Sequence, residues 1–422
     1  MRIGQISFRL AGSDGVSLEA AKLTQILTLL GHANFYLAGE LDPRGKTNSL
    51  TKANLHGASL VPEAHFTHPE ALWITEHAFG TTTPHPELHQ KLQALSQHIE
   101  AEILDFIKTF RIDVLVAQNI LAIPMNLALS MAFVRVAEAT GIPTIAHHHD
   151  FYWEREAYRT NCIPDLLEKY FPPKLHNMRH IVINSMAQKK LAGLGLESTV
   201  LPNVLDFNSP PPRQDTFNKD LRQEIGLAPG DIFFLQPTRV IPRKGIEHSV
   251  ELVRRLADPR IKLVISHPAE YNSIRYLEEI CALAARDHVP LYYLPARFQP
   301  ARKEGSGINK IYSLWDAYVH ADFVTYPSLY EGFGNALVEA LYFRKPILVN
   351  RYQVFKDDIE PTGIRVVKMD GEVTDRVVEE VRSLLEDKQK IEEIARTNLQ
   401  IAKEHFSYKV AAARLESILN SF

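Results

Sequence analysis

Apolar residues in this chain follow two rhythms: short runs of consecutive aliphatic and β-branched residues, and longer stretches where apolar positions return every three or four residues. The first suits strands buried on both faces, the second amphipathic helices. Arg2–Phe8 is read as a buried strand, followed by a loop containing Gly12 and Gly15 and a helix over Ser17–Leu30. Ser17 is its expected N-cap and Gly31 its closing residue. Leu41 to Pro86 is polar, poorly periodic and rich in Thr, His and Pro, and is read as an elaborated surface segment. Periodicity then predicts a helix over Glu87–Phe110, a strand at Asp113–Gln118, a helix from Pro124 to Thr140 and a strand at Thr144–Ala146. A further strand begins at His180, with Ser185 capping a helix to Leu191, and Ser209 to Lys219 reads as linker.

The second half repeats the theme. Strands are expected from Asp231, at Ile261–Ser266, Leu291–Leu294, Asp322–Pro327, Pro346–Asn350 and Ile364–Val367. Between them lie helices at Gly245–Leu256, Ser273–Arg286, Ile308–Val319 and from Asn335, its expected N-cap, to Phe343; Thr374–Phe422 is helical. Alternation of strand and helix implies parallel sheets. A length of 422 residues, 45% hydrophobic, suffices for two such α/β domains.

A formal net charge of -3 gives no electrostatic case for nucleic acid or an acidic membrane. Cys162 and Cys281 lie far apart, which suggests neither a disulfide framework nor a zinc site and fits a reducing cytoplasm. No apolar run approaches the length that spans a bilayer, so a soluble protein is expected; homo-oligomerisation is left open. His56, His65, His68, His77 and His85 are irregularly spaced, without metal-ligand geometry, and are read as solvated surface.

Candidate chemistry gathers at three places. Ser328–Glu339, reading SLYEGFGNALVE, joins a strand to a helix and carries two carboxylates eight positions apart. Gly332 and Gly334 let the loop turn, and the helix N-terminus offers a seat for an anion such as a diphosphate. Carboxylates beside an anion make poor charge partners but good acceptors of hydroxyls, Glu339 for a ribose diol and Glu331 for a transferred sugar; a solvated acidic first turn is the alternative. Arg239, Arg243 and Lys244 stand together at a strand end, either as a solvated cluster or as a grip on phosphate. His147, His148, His149 and Asp150 end another strand, where open α/β sheets place their ligands. His147 and His149 share a face, leaving at most two imidazoles for a metal, so a metal site, a structural cluster and sugar binding all stand as readings. Phe151, Tyr152 and Trp153 offer either an apolar face for a sugar ring or core; Arg155, Glu156 and Arg159 are acceptor-side candidates.

The run Ala321-Asp322…Tyr326-Pro327-Ser328…Glu331-Gly332-Phe333-Gly334…Glu339-Ala340 resembles the donor-binding signature of retaining family 4 glycosyltransferases of the GT-B fold. That resemblance covers nearly the whole chain and is strongest from about residue 231 to 350. It implies two Rossmann-like parallel-sheet domains facing a central cleft: an acceptor-side domain at 1–205, a donor domain at 206–405, and a terminal helix at 406–422 crossing back. By the same resemblance Arg239 and Lys244 match the phosphate-gripping pair, with Arg243 facing outward. Glu331 and His149 meet the transferred sugar, Asp150, Tyr152 and Arg155 lie on the acceptor side, and Gly332, Phe333, Gly334, Asn335 and Glu339 bind the donor. Arg297 falls in the Pro295–Phe298 loop where the family holds the nucleobase, while Gly12 and Gly15 match the loop across from the donor phosphates. Val204 replaces the glycine usual after Asn203, so the turn there departs from the pattern.

The implied activity is transfer of a hexose, with retention, from a UDP-, GDP- or ADP-sugar to a hydroxyl acceptor, a small soluble sugar or polyol derivative being preferred. No D-x-D lies near the phosphate site, and no cofactor or metal is required. The family lacks an obvious nucleophile, which points to a front-face reaction. A GT-B nucleotide-sugar hydrolase or epimerase, and a non-catalytic two-lobed sugar-binding protein, are the alternatives.

Overall fold

The computed structural model describes residues 1–12, 14–42, 55–305 and 310–422. They form two compact units, Met1–Pro202 with Ala411–Phe422, and Asn203–Val410. The first is built on β1 (Arg2–Ser7), β2 (Ala33–Ala38), β3 (Leu55–Leu60), β4 (Val114–Gln118), β5 (Thr144–His148), β6 (Met178–Val182) and β7 (Ser198–Val200). These make one sheet of order β3-β2-β1-β4-β5-β6-β7, every neighbouring pair parallel. Parallel neighbours require crossovers, and helices Gly15–Leu29, Leu88–Phe110 and Leu127–Thr140 supply them, packing Phe106, Phe133 and Leu92 against Ile6, Phe35 and Leu115.

The second unit holds β8 (Ile232–Gln236), β9 (Ile261–Ile265), β10 (Leu291–Tyr293), a short parallel pair β11 (Phe298–Gln299) and β12 (Tyr312–Ser313), and then β13 (Phe323–Tyr326), β14 (Ile347–Asn350) and β15 (Val367–Met369). Its main sheet, β10-β9-β8-β13-β14-β15, is again parallel throughout. Its core centres on Phe234 and Phe323, stacked with ring centres 4.8 Å apart, under Val250 and Val253 of helix Ile246–Leu256. In both units strand order reverses beside the first strand, between β1 and β4 and between β8 and β13, opening a crevice at the strands' C-terminal ends.

Several expectations are corrected. Asp14, not Ser17, caps the first long helix, accepting from the Ser17 N–H at 3.1 Å, because the helix starts two residues early. Asn184 rather than Ser185 caps the helix at 185–193, and Gly334 rather than Asn335 stands before helix Asn335–Tyr342. The supposed surface segment contains β3 and helix Pro69–Ala78, whose Ala71, Ile74 and Ala78 are buried; residues 43–54 of it lie outside the described residues. His65, His68 and His77 are half-buried there rather than solvated: His65 lies 3.3 Å from Glu40, the Nδ1 of His68 is buried, and His77 stacks on Trp73 at 3.9 Å. The stretch at 209–219 is not a free linker, since the fully buried Asn218 donates to Asp316 at 2.8 Å and Asp215 binds Arg302 at 2.7 Å. The helix expected from Ile308 begins at Leu314, its first two positions, 308 and 309, lying outside the described residues. The last strand is later than expected, at Val367–Met369. Among the described residues no helix is long and apolar enough to cross a membrane, and both cysteines are free.

Candidate active site

Within the second unit the chemistry stands at the ends of β8 and β13. β8 runs into Gln236, whose buried side chain donates to Thr238 Oγ1 at 2.8 Å and accepts from Ser249 and Thr325 at 2.8 Å each. That network ties β8, β13 and helix Ile246–Leu256 together beneath the site. Beyond it a single 3₁₀ turn, Pro242–Lys244, ends at Gly245 with φ +59°, and a Cβ on Gly245 would come within 2.6 Å of the Pro327 carbonyl. Only glycine lets this loop lie so close to the one leaving β13. The two loops are latched by the Leu329 N–H, which donates to the Arg243 carbonyl at 2.8 Å.

Across this latch Lys244 pairs with Glu331, both side chains only 9% exposed. Arg243 joins them, its Nη1 2.8 Å from Glu331 Oε2 and 3.1 Å from the Tyr330 carbonyl. The expectation that Arg243 faces outward is therefore wrong: in a tight 3₁₀ turn anchored through its carbonyl, its side chain folds back on the same acid as its neighbour. Burial alone would raise the Glu331 carboxyl, but Lys244 and Arg243 outweigh it and hold it at about 2. Lys244 is shifted down, first by burial and then by Arg243 and Arg239, against the pull of Glu331. One buried and one half-buried cation thus share one carboxylate, a local excess of positive charge that favours an anion.

Arg239 stands further out, 52% exposed and paired with Glu270. Glu331 also borders Tyr326, whose phenol burial and this carboxylate push well up. Gly334 has φ +132°, and a Cβ there would stand 2.6 Å from the Tyr352 hydroxyl, which itself donates to the Phe333 carbonyl at 2.6 Å. Helix Asn335–Tyr342 follows at once; its Asn335 Oδ1 accepts from Asn203 at 2.6 Å, beside the buried Val204 that replaces the usual glycine. Gly332 is exposed and Phe333 buried. Glu339 lies half-buried one turn on, against Tyr318, whose phenol is driven up by burial and by this acid. Ser328 is fully buried, and its hydroxyl has no partner among the described residues. Arg297 is buried too, over the Tyr312 ring and 3.5 Å from Glu224.

In the first unit β5 ends in the histidine run. His147 and His149 share a face as the strand period requires, with ring centres 4.3 Å apart, while His148 turns to the other side and meets His180 at 3.0 Å. A chain of buried side chains supports His147: its Nδ1 lies 3.0 Å from Gln118 Oε1, Gln118 donates to Gln5 at 2.7 Å, and Gln5 to Thr24 at 2.7 Å. His149 is held neutral at neutral pH, lowered to about 4 by burial and by Lys22. Its Nε2 is buried with no partner among the described residues. Lys22, missed in the sequence, is itself half-buried and bonded to the buried Glu19 at 2.7 Å. Asp150 accepts from Arg155 Nε at 2.9 Å. Phe151 is core, stacked on Trp153 at 4.4 Å, and Tyr152 is half-buried beside it. Gly12, with φ +76°, and Gly15 leave open space where a Cβ would stand. No three His, Cys, Asp or Glu side chains converge as a metal site among the described residues.

Residues 307–400 match the model of a family described as glycosyl transferases group 1. The chain is 33% identical over its whole length to mannosylglucosylglycerate synthase of Thermotoga maritima, covering 99% of that relative. It is 30% identical, over 97% of this chain and 99% of the relative, to the protein of the same name in Petrotoga mobilis. The chain belongs to the group 1 glycosyltransferases. In fold, this glycosyltransferase is similar to Anabaena HepE, solved in complex with UDP and glucose, with a TM-score of 0.65 at 16% identity and 100% of both chains covered. The GT-B architecture of the transferase, two parallel-sheet α/β domains, accords with that likeness and with the main sheet of each unit.

Proposed function

We propose that this glycosyltransferase is a retaining, family 4-type hexosyltransferase that moves a sugar from a nucleoside diphosphate to a hydroxyl of a small, soluble acceptor. Its full-length relatives are called mannosylglucosylglycerate synthases, and a glycerate-bearing sugar is accordingly the acceptor class assigned. HepE was solved with UDP, which makes a UDP-sugar the first donor to try. The observation that carries the reading is the Lys244–Glu331–Arg243 cluster, Lys244 buried and Arg243 half-buried, at the head of helix Asn335–Tyr342, two cations on one acid at a helix N-terminus.

In this reading the donor diphosphate takes over Lys244 and Arg243, with Arg239 joining from the rim, and Glu331 is released to accept hydroxyl hydrogens of the hexose. Its low pKa keeps it ionised and therefore acceptor-only at neutral pH. Glu339 takes the ribose diol, while Gly332, Phe333, Gly334 and Asn335 supply backbone and helix-end contacts, and Arg297 borders the base. Neutral His149 hydrogen-bonds the transferred sugar, and Asp150, Tyr152 and Arg155 face the acceptor, with Gly12 and Gly15 leaving room for it. The C1–O bond to phosphate breaks as the acceptor oxygen bonds C1 on the same face, and the leaving phosphate oxygen takes the hydroxyl proton. Cations on the departing diphosphate stabilise charge where it develops.

The test is a matrix of UDP-, GDP- and ADP-hexoses against glycerate, glucosylglycerate and simple polyols, with products followed by mass spectrometry and anomeric configuration by NMR. Acceptor-dependent product of retained configuration is expected. Donor hydrolysis indifferent to every acceptor, or an inverted product, overturns the reading.

A further inference from the structure

One buried amide links the His-Asp end of β5 to β4. Asn119 follows β4 directly, is 5% exposed, and has φ +63°. Its side chain reaches both residues assigned above to sugar and acceptor: Oδ1 accepts from the main-chain N–H of His149 at 2.9 Å, and Nδ2 donates to Asp150 Oδ1 at 2.9 Å. Its own N–H donates to the His147 carbonyl at 2.9 Å, prolonging the β4–β5 pairing one residue past the strand. Asp150 Oδ2 is taken by Arg155, so the two carboxylate oxygens are fixed from opposite sides. No other amide orientation serves both ends, because His149 offers a donor and Asp150 an acceptor. The left-handed backbone is one that Asn tolerates better than most residues.

We propose that Asn119 is a positioning residue of the transferase, setting the main chain that carries the His149 ring, and the Asp150 carboxylate, for sugar and acceptor without touching either. The proposal rests on the site assignment above. Asn119→Gly is the informative variant: glycine adopts φ +63° without strain, so the backbone keeps its turn while the clamp is lost. Its melting temperature stays within a few degrees of wild type, its affinity for nucleoside diphosphate alone is unchanged, and kcat falls about 10- to 100-fold, as for loss of hydrogen bonds to a charged group. Because Asn119 acts through its neighbours, adding Asn119→Gly to His149→Ala/Asp150→Ala lowers kcat little further.

Asn119→Asp separates positioning from bulk packing. The new acid still accepts from His149 but confronts Asp150, and two carboxylates so close share a proton, raising the pKa of one. Activity therefore recovers as pH falls from 8 to 6, where the protonated acid again donates; a packing role gives a loss independent of pH. Arg155, Glu154 and Tyr158 face Asp150, and Lys22 and His147 face His149, in wild type and variant alike, so the profile is read as their ratio. Normal kcat in Asn119→Gly, or full additivity with the double alanine variant, overturns the proposal. If His149→Ala and Asp150→Ala are themselves fully active while Asn119→Gly is impaired, the site assignment falls, and the positioning role with it.

Discussion

The sheets of the two units share a central strand order yet end in opposite chemistry. At the end of β5 the first unit buries neutral imidazoles, His147, His148 and His149 with His180 alongside, all shifted down chiefly by burial. At the ends of β8 and β13 the second holds full charges, the buried Lys244 and the half-buried Arg243 on Glu331. The backbone solution is common, because parallel strands with helical crossovers always leave a crevice where strand order reverses. What differs is which costly groups the crevice retains. Neutral donor-acceptors suit hydroxyl-rich ligands, whereas an ion cluster short of negative charge suits phosphate.

Acid should break the comparison most sharply. A histidine with a lowered folded pKa stabilises fully above its unfolded value near 6.5 and loses that contribution as pH falls through its folded value, here about 4 for His149 and His180. Glu331, held at about 2, loses its contribution only between its unfolded value near 4.3 and that lower value. Hydrogen exchange at pH 4.5 is expected to show protection lost first around β5 and β6, although the second unit also has such imidazoles, His267, lowered to about 4 by burial and by Lys244, and His320, lowered by burial. Equal loss in both units would erase the distinction. Next in size, Glu331→Ala leaves the buried Lys244 and the half-buried Arg243 uncompensated and should cost about 3–5 kcal/mol in denaturant unfolding, part of it restored by saturating UDP. Lys244→Ala should lower kcat about 10²–10³-fold with the fold intact; near-normal turnover would remove the phosphate role from this cluster. Smallest is Glu270→Gln, which breaks the exposed pair with Arg239 and should change stability by under about 1 kcal/mol, setting the scale for a rim ion pair against a buried one.

The stretch around Glu331 was readable because several demands fall on consecutive residues: a strand, a turn needing Gly334 beneath the Tyr352 hydroxyl, and a helix. Arg243 was not, since its direction depends on a carbonyl latch to Leu329, distant in sequence. β3 escaped notice because it is an edge strand whose apolar positions are few. Its Gly57 is small because a Cβ there would stand 2.6 Å from the Phe110 ring, a constraint the local pattern does not carry. Asn119 gave no signal beyond one polar residue after a strand. Gly31 as helix terminator and the run of consecutive apolar residues in β4 followed directly from local rules.

Residues Ala411–Phe422 belong to the first unit although the whole second unit precedes them in the chain. Arg414 donates to the Val200 carbonyl, and Arg179 to the Ser421 carbonyl at 2.7 Å, stitching this segment onto β6 and β7. On the ribosome, the first unit must therefore wait, incomplete, until the second has emerged. A nascent chain arrested near residue 405 would hold every strand of both sheets yet lack the piece that finishes the one made first.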